Sequence, residues 1–199
     1  MEKLRNKYFM LRHGESKANV AEIIISLLAN GIQEEFTLTK KGEQQVSESV
    51  AKAKSEGVLD NNVIIYSSPF SRCKRTAEIA KETLEVKDEI HLDERLKERY
   101  FGDLEKTHNS NYQKVWDKDA NNPDQKDFNV ESAQEVQDRV LSLLKDLEEK
   151  YAGGKILLVS HGDALQILQT GFLEKSPKEH RQLNHLNTAE VRELKPLTL

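Results

Sequence analysis

Two short apolar runs in this 199-residue chain each stop abruptly at a His-Gly pair. The first is Phe9-Met10-Leu11-Arg12-His13-Gly14-Glu15-Ser16, and the second is Ile156-Leu157-Leu158-Val159-Ser160-His161-Gly162-Asp163. A third run, Val63-Ile64-Ile65-Tyr66, passes through Ser67-Ser68-Pro69-Phe70-Ser71 to Arg72. As buried strands of one parallel sheet, all three deliver their polar residues to the carboxyl edge, where open α/β sheets bind ligands. Two arginines and two histidines at that edge make a cationic pocket suited to a phosphoryl group. A guanidinium is always charged and grips oxygens with a planar fork. A neutral imidazole can attack phosphorus and carry the group as a phosphohistidine, splitting one hard displacement into two. Arg12 and Arg72 disfavour a further positive charge on His13 and so favour that neutral form. Gly14 lets the backbone approach closely.

Positioning these strand ends requires helices on both faces of the sheet, and the sequence supplies them in alternation. Thr39 is placed to cap a helix from Lys40 to about Lys54, with Val46, Val50 and Ala53 on one face. Arg72 to Leu84 reads as a second, with Ala77, Ala80 and Leu84 inward. Ser132 with Glu135 three residues on is a capping-box signature. It opens a helix to about Tyr151 whose Val136, Val140, Leu143, Leu144 and Leu147 form one stripe. Asp163 to Phe172 follows the second His-Gly. A helix over 19–29, a short strand over 89–92 and a last edge strand over 188–194 complete the set. The expected architecture is a three-layer α/β/α sandwich with a mostly parallel central sheet, one domain over 1–199. Residues 93–130 break the alternation, being polar, without a long apolar period, and interrupted by Asn121-Asn122-Pro123-Asp124. They read as an inserted cap or loop segment, and loops of this length usually carry function.

Five stretches in order resemble the motifs of the histidine phosphatase superfamily, the phosphoglycerate mutase-like group. They are LRHGES at 11–16, LTKKGEQQ at 38–45, SSPFSRCKRTA at 67–77, LKERYFG at 96–102 and SHGDAL at 160–165. They span almost the whole chain, and the resemblance implies a phosphoglycerate mutase-like fold. It also implies that His13 is the nucleophile, that Arg12, Asn19, Arg72, His161 and Gly162 contact the phosphate, and that Glu98 is the proton donor. Such an acid is needed because an alkoxide leaving group must be protonated, and a carboxyl beside an anion has a raised pKa suited to that task near neutrality.

Departures from the family's pattern point away from a mutase. Ala18 stands where mutases carry a tryptophan before the asparagine of the first motif. Asp103-Leu104-Glu105-Lys106-Thr107-His108 replaces the mutase run after the acid motif. No arginine occurs from Tyr100 to Asp138. The window from Tyr100 to Val130 holds Lys106, Lys114, Lys118 and Lys126 against Asp103, Glu105, Asp117, Asp119, Asp124 and Asp127. Such a cover is expected to repel a doubly charged substrate and admit water. The first reading is therefore a phosphatase acting on phosphomonoesters of small metabolites. The alternatives are a cofactor-dependent phosphoglycerate mutase and a non-catalytic phosphate-binding adapter, which would more often have lost His13 or Glu98.

Composition narrows the setting. A net charge of −4 argues against nucleic-acid or membrane-surface partners by bulk charge. The longest apolar run, Ile23 to Ala29, is too short to span a bilayer. Cys73 alone cannot form an intrachain disulfide, fits a reducing compartment and is expected to be a small core residue. With no leader-like segment before the first strand, the expected location is cytoplasmic. No His-x-x-x-His or Cys-x-x-Cys spacing exists, so neither a metal nor another cofactor is expected. His91, His108, His180 and His185 lack partner motifs and read as ordinary surface or core groups. The expected partner is a small phosphorylated substrate; nothing in the sequence sets an oligomeric state.

Overall fold

A computed structural model describes residues 4–195. Strands β1 (Lys7–Arg12), β2 (Ile64–Ser67), β3 (His91–Leu92), β4 (Lys155–Ser160) and β5 (Val191–Glu193) form one sheet in the order β3-β2-β4-β1-β5. All neighbours run parallel except β5, which pairs antiparallel at the β1 edge. The apolar runs of β1 and β4 have no polar face because helices cover both sides. Phe9, Leu11, Leu157 and Val159 point to one core. Tyr8, Met10, Ile156 and Leu158 point to the other, the period-two alternation of a pleated strand.

Four long helices make the outer layers. On the first face pack α3 (Lys40–Ser55) and α4 (Ser71–Leu84), with Val46, Val50, Ala53, Ala77, Ala80 and Leu84 in the core. On the second pack α6 (Ala133–Lys150) and α7 (Gly162–Phe172), through Val140, Leu143, Leu144, Leu147, Leu165 and Leu168. Thr39 accepts from the Gly42 amide, and Ser132 and Glu135 form the expected capping box. The expected α/β/α sandwich is the fold observed. No helix among the described residues is long and apolar enough to cross a membrane.

The segment expected to be helical over 19–29 is not one helix. Helix α1 covers only Lys17–Val20, and a single turn, α2, covers Leu28–Gly31. Between them Glu22 takes a positive φ of 53°, which breaks the helix. The β-branched run that follows is extended. Ile24 packs with Phe101, Leu104, Val115 and Val130, whereas Ile23 and Ile25 line a cleft on the opposite side. The apolar residues there have a period of two, not 3.6.

Residues 93–130 wrap that small apolar cluster in 3-10 turns and one helix, α5 (Tyr112–Asp119). Helix α5 escapes a reading by hydrophobic period because one of its buried positions is Asp119, which receives both terminal nitrogens of Arg99 at 2.5 and 2.9 Å. Glu105 ties the segment to the extended run. Its carboxylate accepts from the Ser26 amide and hydroxyl, the Leu27 amide and the Asn30 side chain.

Candidate active site

The β1–β4 register places Arg12 beside Ser160, so His13 and His161 leave the sheet together. The His13 amide still donates to the Ser160 carbonyl at 3.0 Å, and the two imidazoles meet edge to face with centroids 5.2 Å apart. One strand further, Ser67 pairs with Val159, and the chain turns into α4 with Arg72 in its first turn. The turn after β1 runs against the start of α3. A Cβ on Gly14 would lie 2.4 Å from the Gly42 carbonyl, so the close approach that needs this glycine is to backbone of the same chain.

Arg72 fixes the protonation pattern. Its Nε donates to His13 Nε2 and to His161 Nδ1, each at 3.2 Å. A guanidinium only donates, so both nitrogens must present lone pairs. The ring protons therefore sit on the other sides: His13 Nδ1 donates to the Gly14 carbonyl, and His161 Nε2 donates to Ser68 Oγ, both at 2.8 Å. Burial, followed by the Arg72 and Arg12 charges, holds the pKa of His13 well below the usual imidazole range. Burial and Arg72 do the same for His161. Both rings are neutral at pH 7, and Nε2 of His13 carries the lone pair that faces Arg72.

Two guanidinium donors in this pocket, Arg12 Nε and Arg72 Nη1, are buried and have no hydrogen-bond partner among the described residues. Their neighbours are occupied: Arg12 Nη1 bonds the Leu186 carbonyl and His185 Nε2, and Arg72 Nη2 bonds the Ile25 carbonyl. Unpaired buried N–H groups are costly, and an anion with several oxygens satisfies both at once. Glu98 lies in the same cleft, with one carboxylate oxygen 3.9 Å from His161 Nδ1. Burial pushes its pKa up to about 7, Asp163 adds to the shift, and Arg72 opposes it.

The family model of the histidine phosphatase superfamily (branch 1) matches residues 8–196. The chain belongs to the histidine phosphatase superfamily. It is 33% identical over 184 residues to the probable phosphoglycerate mutase GpmB of Escherichia coli (strain K12 / DH10B), a match spanning 90% of this chain and 80% of that protein. A solved phosphoserine phosphatase of Entamoeba histolytica, in complex with 3-phosphoglyceric acid, superposes with a TM-score of 0.74 at 27% identity, over 94% of this chain and 89% of that one. A mycobacterial glucosyl-3-phosphoglycerate phosphatase shares the fold, with a TM-score of 0.76 at 19% identity over 94% and 88% of the two chains.

Of the superfamily positions expected from sequence, Arg12, His13, Asn19, Arg72, Glu98 and Gly162 line one cleft of about 200 Å³. His161 is fully buried beneath them and reaches the cleft through Arg72 and His13. Asn19 faces it with its Oδ1 held by the Ser16 amide and hydroxyl, which leaves the amide nitrogen as the donor end. A Cβ at Gly162 would come within 3.2 Å of the Arg12 guanidinium carbon. Cys73 is in the core, its thiol pushed by burial up to about 12.

Sequence reasoning missed a second group on the same cleft: Ser16, Asn109, Tyr112, Trp116, Asp163, Arg181 and His185. Only Asp163 and Ser16 stand inside the quoted motifs. The remainder come from the 93–130 segment and the last turns of the chain, and no spacing marks them. His180 and His185, read as ordinary groups, are both close to the site. The acids of the 100–130 window do not line the cleft; its polar residues there are Asn109, Tyr112 and Trp116. The repulsive cover expected from that charge count is therefore not built, because those carboxylates face partners such as Arg99, Ser26 and Lys118.

The raised pKa of Glu98 makes a stability prediction. Between the ordinary carboxyl value of 4.5 and about 7 the folded protein holds a proton that the unfolded chain has lost. Stability from this group is thus full below about 4.5 and is lost as pH rises through 7. A shift of that size weakens the folded state by on the order of 3 kcal/mol once the carboxyl ionises. In thermal melts Glu98→Gln should exceed the wild type at about pH 8 and match it near the lower end of that window. A wild type more stable than the variant at alkaline pH would contradict burial as the cause.

Proposed function

We propose that the protein is a metal-independent phosphomonoesterase that works through a phosphohistidine on His13. The observation that carries this reading is the Nε2 lone pair of His13, fixed by Arg72 beside two unpaired guanidinium donors and an acid that protonates near neutrality. Arg12 Nε, Arg72 Nη1 and the Asn19 amide hold the phosphoryl oxygens. As those oxygens engage Arg72, the lone pair it covers is released and attacks phosphorus in line. The N–P bond forms, the ester P–O bond breaks, and Glu98 gives its proton to the departing oxygen. Glu98, now a carboxylate, takes a proton from a water that attacks the phosphohistidine; the P–N bond breaks and inorganic phosphate leaves. Fixed cations are the main device for such a loose transition state, and His161 holds Arg72 and His13 at the required angle.

A phosphoglycerate mutase is the second reading, favoured by the 33% identity to the probable mutase of Escherichia coli. Hydrolysis is preferred because the cleft offers one arginine beyond the phosphoryl floor, Arg181. A mutase must hold a second anionic group tightly and keep water from the phosphohistidine while the substrate reorients. The solved phosphatase at 27% identity supports the same choice.

Quenching during turnover of labelled substrate should trap an acid-labile, alkali-stable phosphoenzyme in the wild type and none in His13→Ala. The same adduct in that variant would move the nucleophile elsewhere. Glu98→Gln should slow alkyl phosphates by about 10²–10⁴ and aryl phosphates far less, since an aryloxide leaves without a proton. Equal losses on both would remove Glu98 from the acid role. Phosphate release should survive exhaustive chelation, because Arg12 and Arg72 supply the charge a divalent ion would bring. It should also outrun bisphosphoglycerate-primed interconversion of 2- and 3-phosphoglycerate; the reverse ranking would establish the mutase.

A further inference from the structure

Arg72 is held by the protein at Nε and at Nη2. Nε is shared between the two imidazoles, and Nη2 donates to the Ile25 carbonyl at 3.0 Å. A guanidinium is planar, so fixing two of its nitrogens fixes where the last one points. That last one is Nη1, the buried donor left for a phosphoryl oxygen. Its aim therefore depends on the place of a single carbonyl, and this carbonyl belongs to no helix or strand. Ile25 lies in the extended run between α1 and α2, and Arg72 is the one donor to its carbonyl among the described residues. Ile24 exchanges backbone bonds with Lys106 at 2.8 Å and Thr107 at 2.9 Å, but that pairing stops one residue short.

What holds the carbonyl lies on the far side of the same peptide. The amide that joins Ile25 to Ser26 donates to Glu105 Oε2 at 2.8 Å. One planar unit thus has a cation at its oxygen and a carboxylate at its N–H, so its dipole is aligned favourably with both charges. Ile25 and Ser26 are both buried, and in such an interior a chain of this kind polarises along its length, each bond strengthening the other. The carboxylate has little freedom of its own. Its Oε2 also accepts from the Ser26 hydroxyl at 2.6 Å and the Leu27 amide at 3.0 Å, and its Oε1 accepts from the Asn30 side chain at 2.9 Å. Glu105 is therefore one peptide unit away from the guanidinium that orders the site.

We propose that Glu105 is a positioning residue, whose carboxylate acts through the Ile25–Ser26 peptide to aim Arg72 Nη1 at the phosphoryl group. This rests on the phosphomonoesterase reading of the cleft. A carboxylate that only staples the loop would affect stability alone, whereas a positioning group must act through Arg72. The test titrates inorganic phosphate calorimetrically into the wild type, Glu105→Gln, Arg72→Lys and the double variant. Glu105→Gln keeps the size of the side chain and removes its charge, and it should weaken phosphate binding by about ten-fold, the scale of a lost charge-assisted bond. In Arg72→Lys no planar fork remains to be aimed, so the same substitution should cost less than about two-fold there. Equal losses in the two backgrounds would make Glu105 a staple and overturn the proposal. Ser26→Ala is the control, because it strips one donor from the same carboxylate and leaves the peptide N–H in place. It should lower the melting temperature without weakening phosphate binding; a loss matching that of Glu105→Gln would assign the effect to general loosening and refute the positioning role. The Nε–H resonance of Arg72 reads the guanidinium with no ligand present. It should shift in Glu105→Gln, and an unmoved resonance would refute the coupling. If the wild type hydrolyses no phosphomonoester, the phosphatase reading falls while the titration and the resonance still decide the role of Glu105.

Discussion

One N–H group, the Nε of Arg72, is shared between two imidazole nitrogens, and the site depends on keeping it there. It selects the tautomer of His13, orients His161, and brings a fixed charge against both rings without protonating either. Three strands must end in step for this to happen. His13 and His161 are adjacent because β1 and β4 are parallel and in register from Lys7 with Lys155 to Arg12 with Ser160. Arg72 arrives from the next strand after a short serine turn, and Ser68 closes the arrangement on the far side of His161. A slip of one residue between β1 and β4 would turn the core side chains to the wrong face and separate the rings. Core packing and chemistry thus impose the same register.

The 93–130 segment is held by a different device. Arg99 is fully buried against Asp119, with Gln125 Nε2 on Asp119 at 2.7 Å and the Glu131 carbonyl on Arg99 Nε at 2.7 Å. Desolvating such a pair offsets much of its attraction, so its value lies less in net stability than in the penalty for breaking it. Removing either partner strands a charge in a closed interior. The pair sits one residue from Glu98 and also touches Asp163, so it fixes the acid, the segment above it and the start of α7 together. A polar composition is what this geometry requires, and that composition is why the segment looks like a loop in the sequence.

Strand ends, helix caps and the stripes of α3, α4 and α6 were legible because each rests on local chemistry. A Thr or Ser before a helix accepts a hydrogen bond whatever lies beyond it. The helix expected over 19–29 does not form because the apolar residues there alternate instead of following a helical period: Ile24 faces the small cluster, whereas Ile23 and Ile25 face the cleft. Helix α5 was illegible because an aspartate occupies one of its core positions. Arg181, Trp116 and His185 stayed invisible for another reason. They meet only when the 93–130 segment and the chain's last turns fold against each other, and no fixed spacing encodes such a meeting. The charge count of the 100–130 window was readable but misleading, since formal charges inform about a cleft only once their partners are known.

Burial acts in opposite directions on the two proposed reacting groups. It favours the neutral form of any titratable side chain, so it lowers the pKa of an imidazole and raises that of a carboxyl. At His13 this keeps Nε2 unprotonated, an effect reinforced by the Arg72 and Arg12 charges. At Glu98 it yields a held proton, which the Asp163 charge reinforces and Arg72 weakens. The guanidiniums stabilise a carboxylate at Glu98 as surely as they discourage an imidazolium at His13, so desolvation must outweigh them at the acid. That balance brings the Glu98 pKa to about 7, where the group can give a proton to an alkoxide and then recover one from water. A more open cleft would ionise Glu98 and begin to charge His13 together. The walls built by Ile23, Ile25, Tyr112 and Trp116 therefore contribute to the chemistry through the water they exclude.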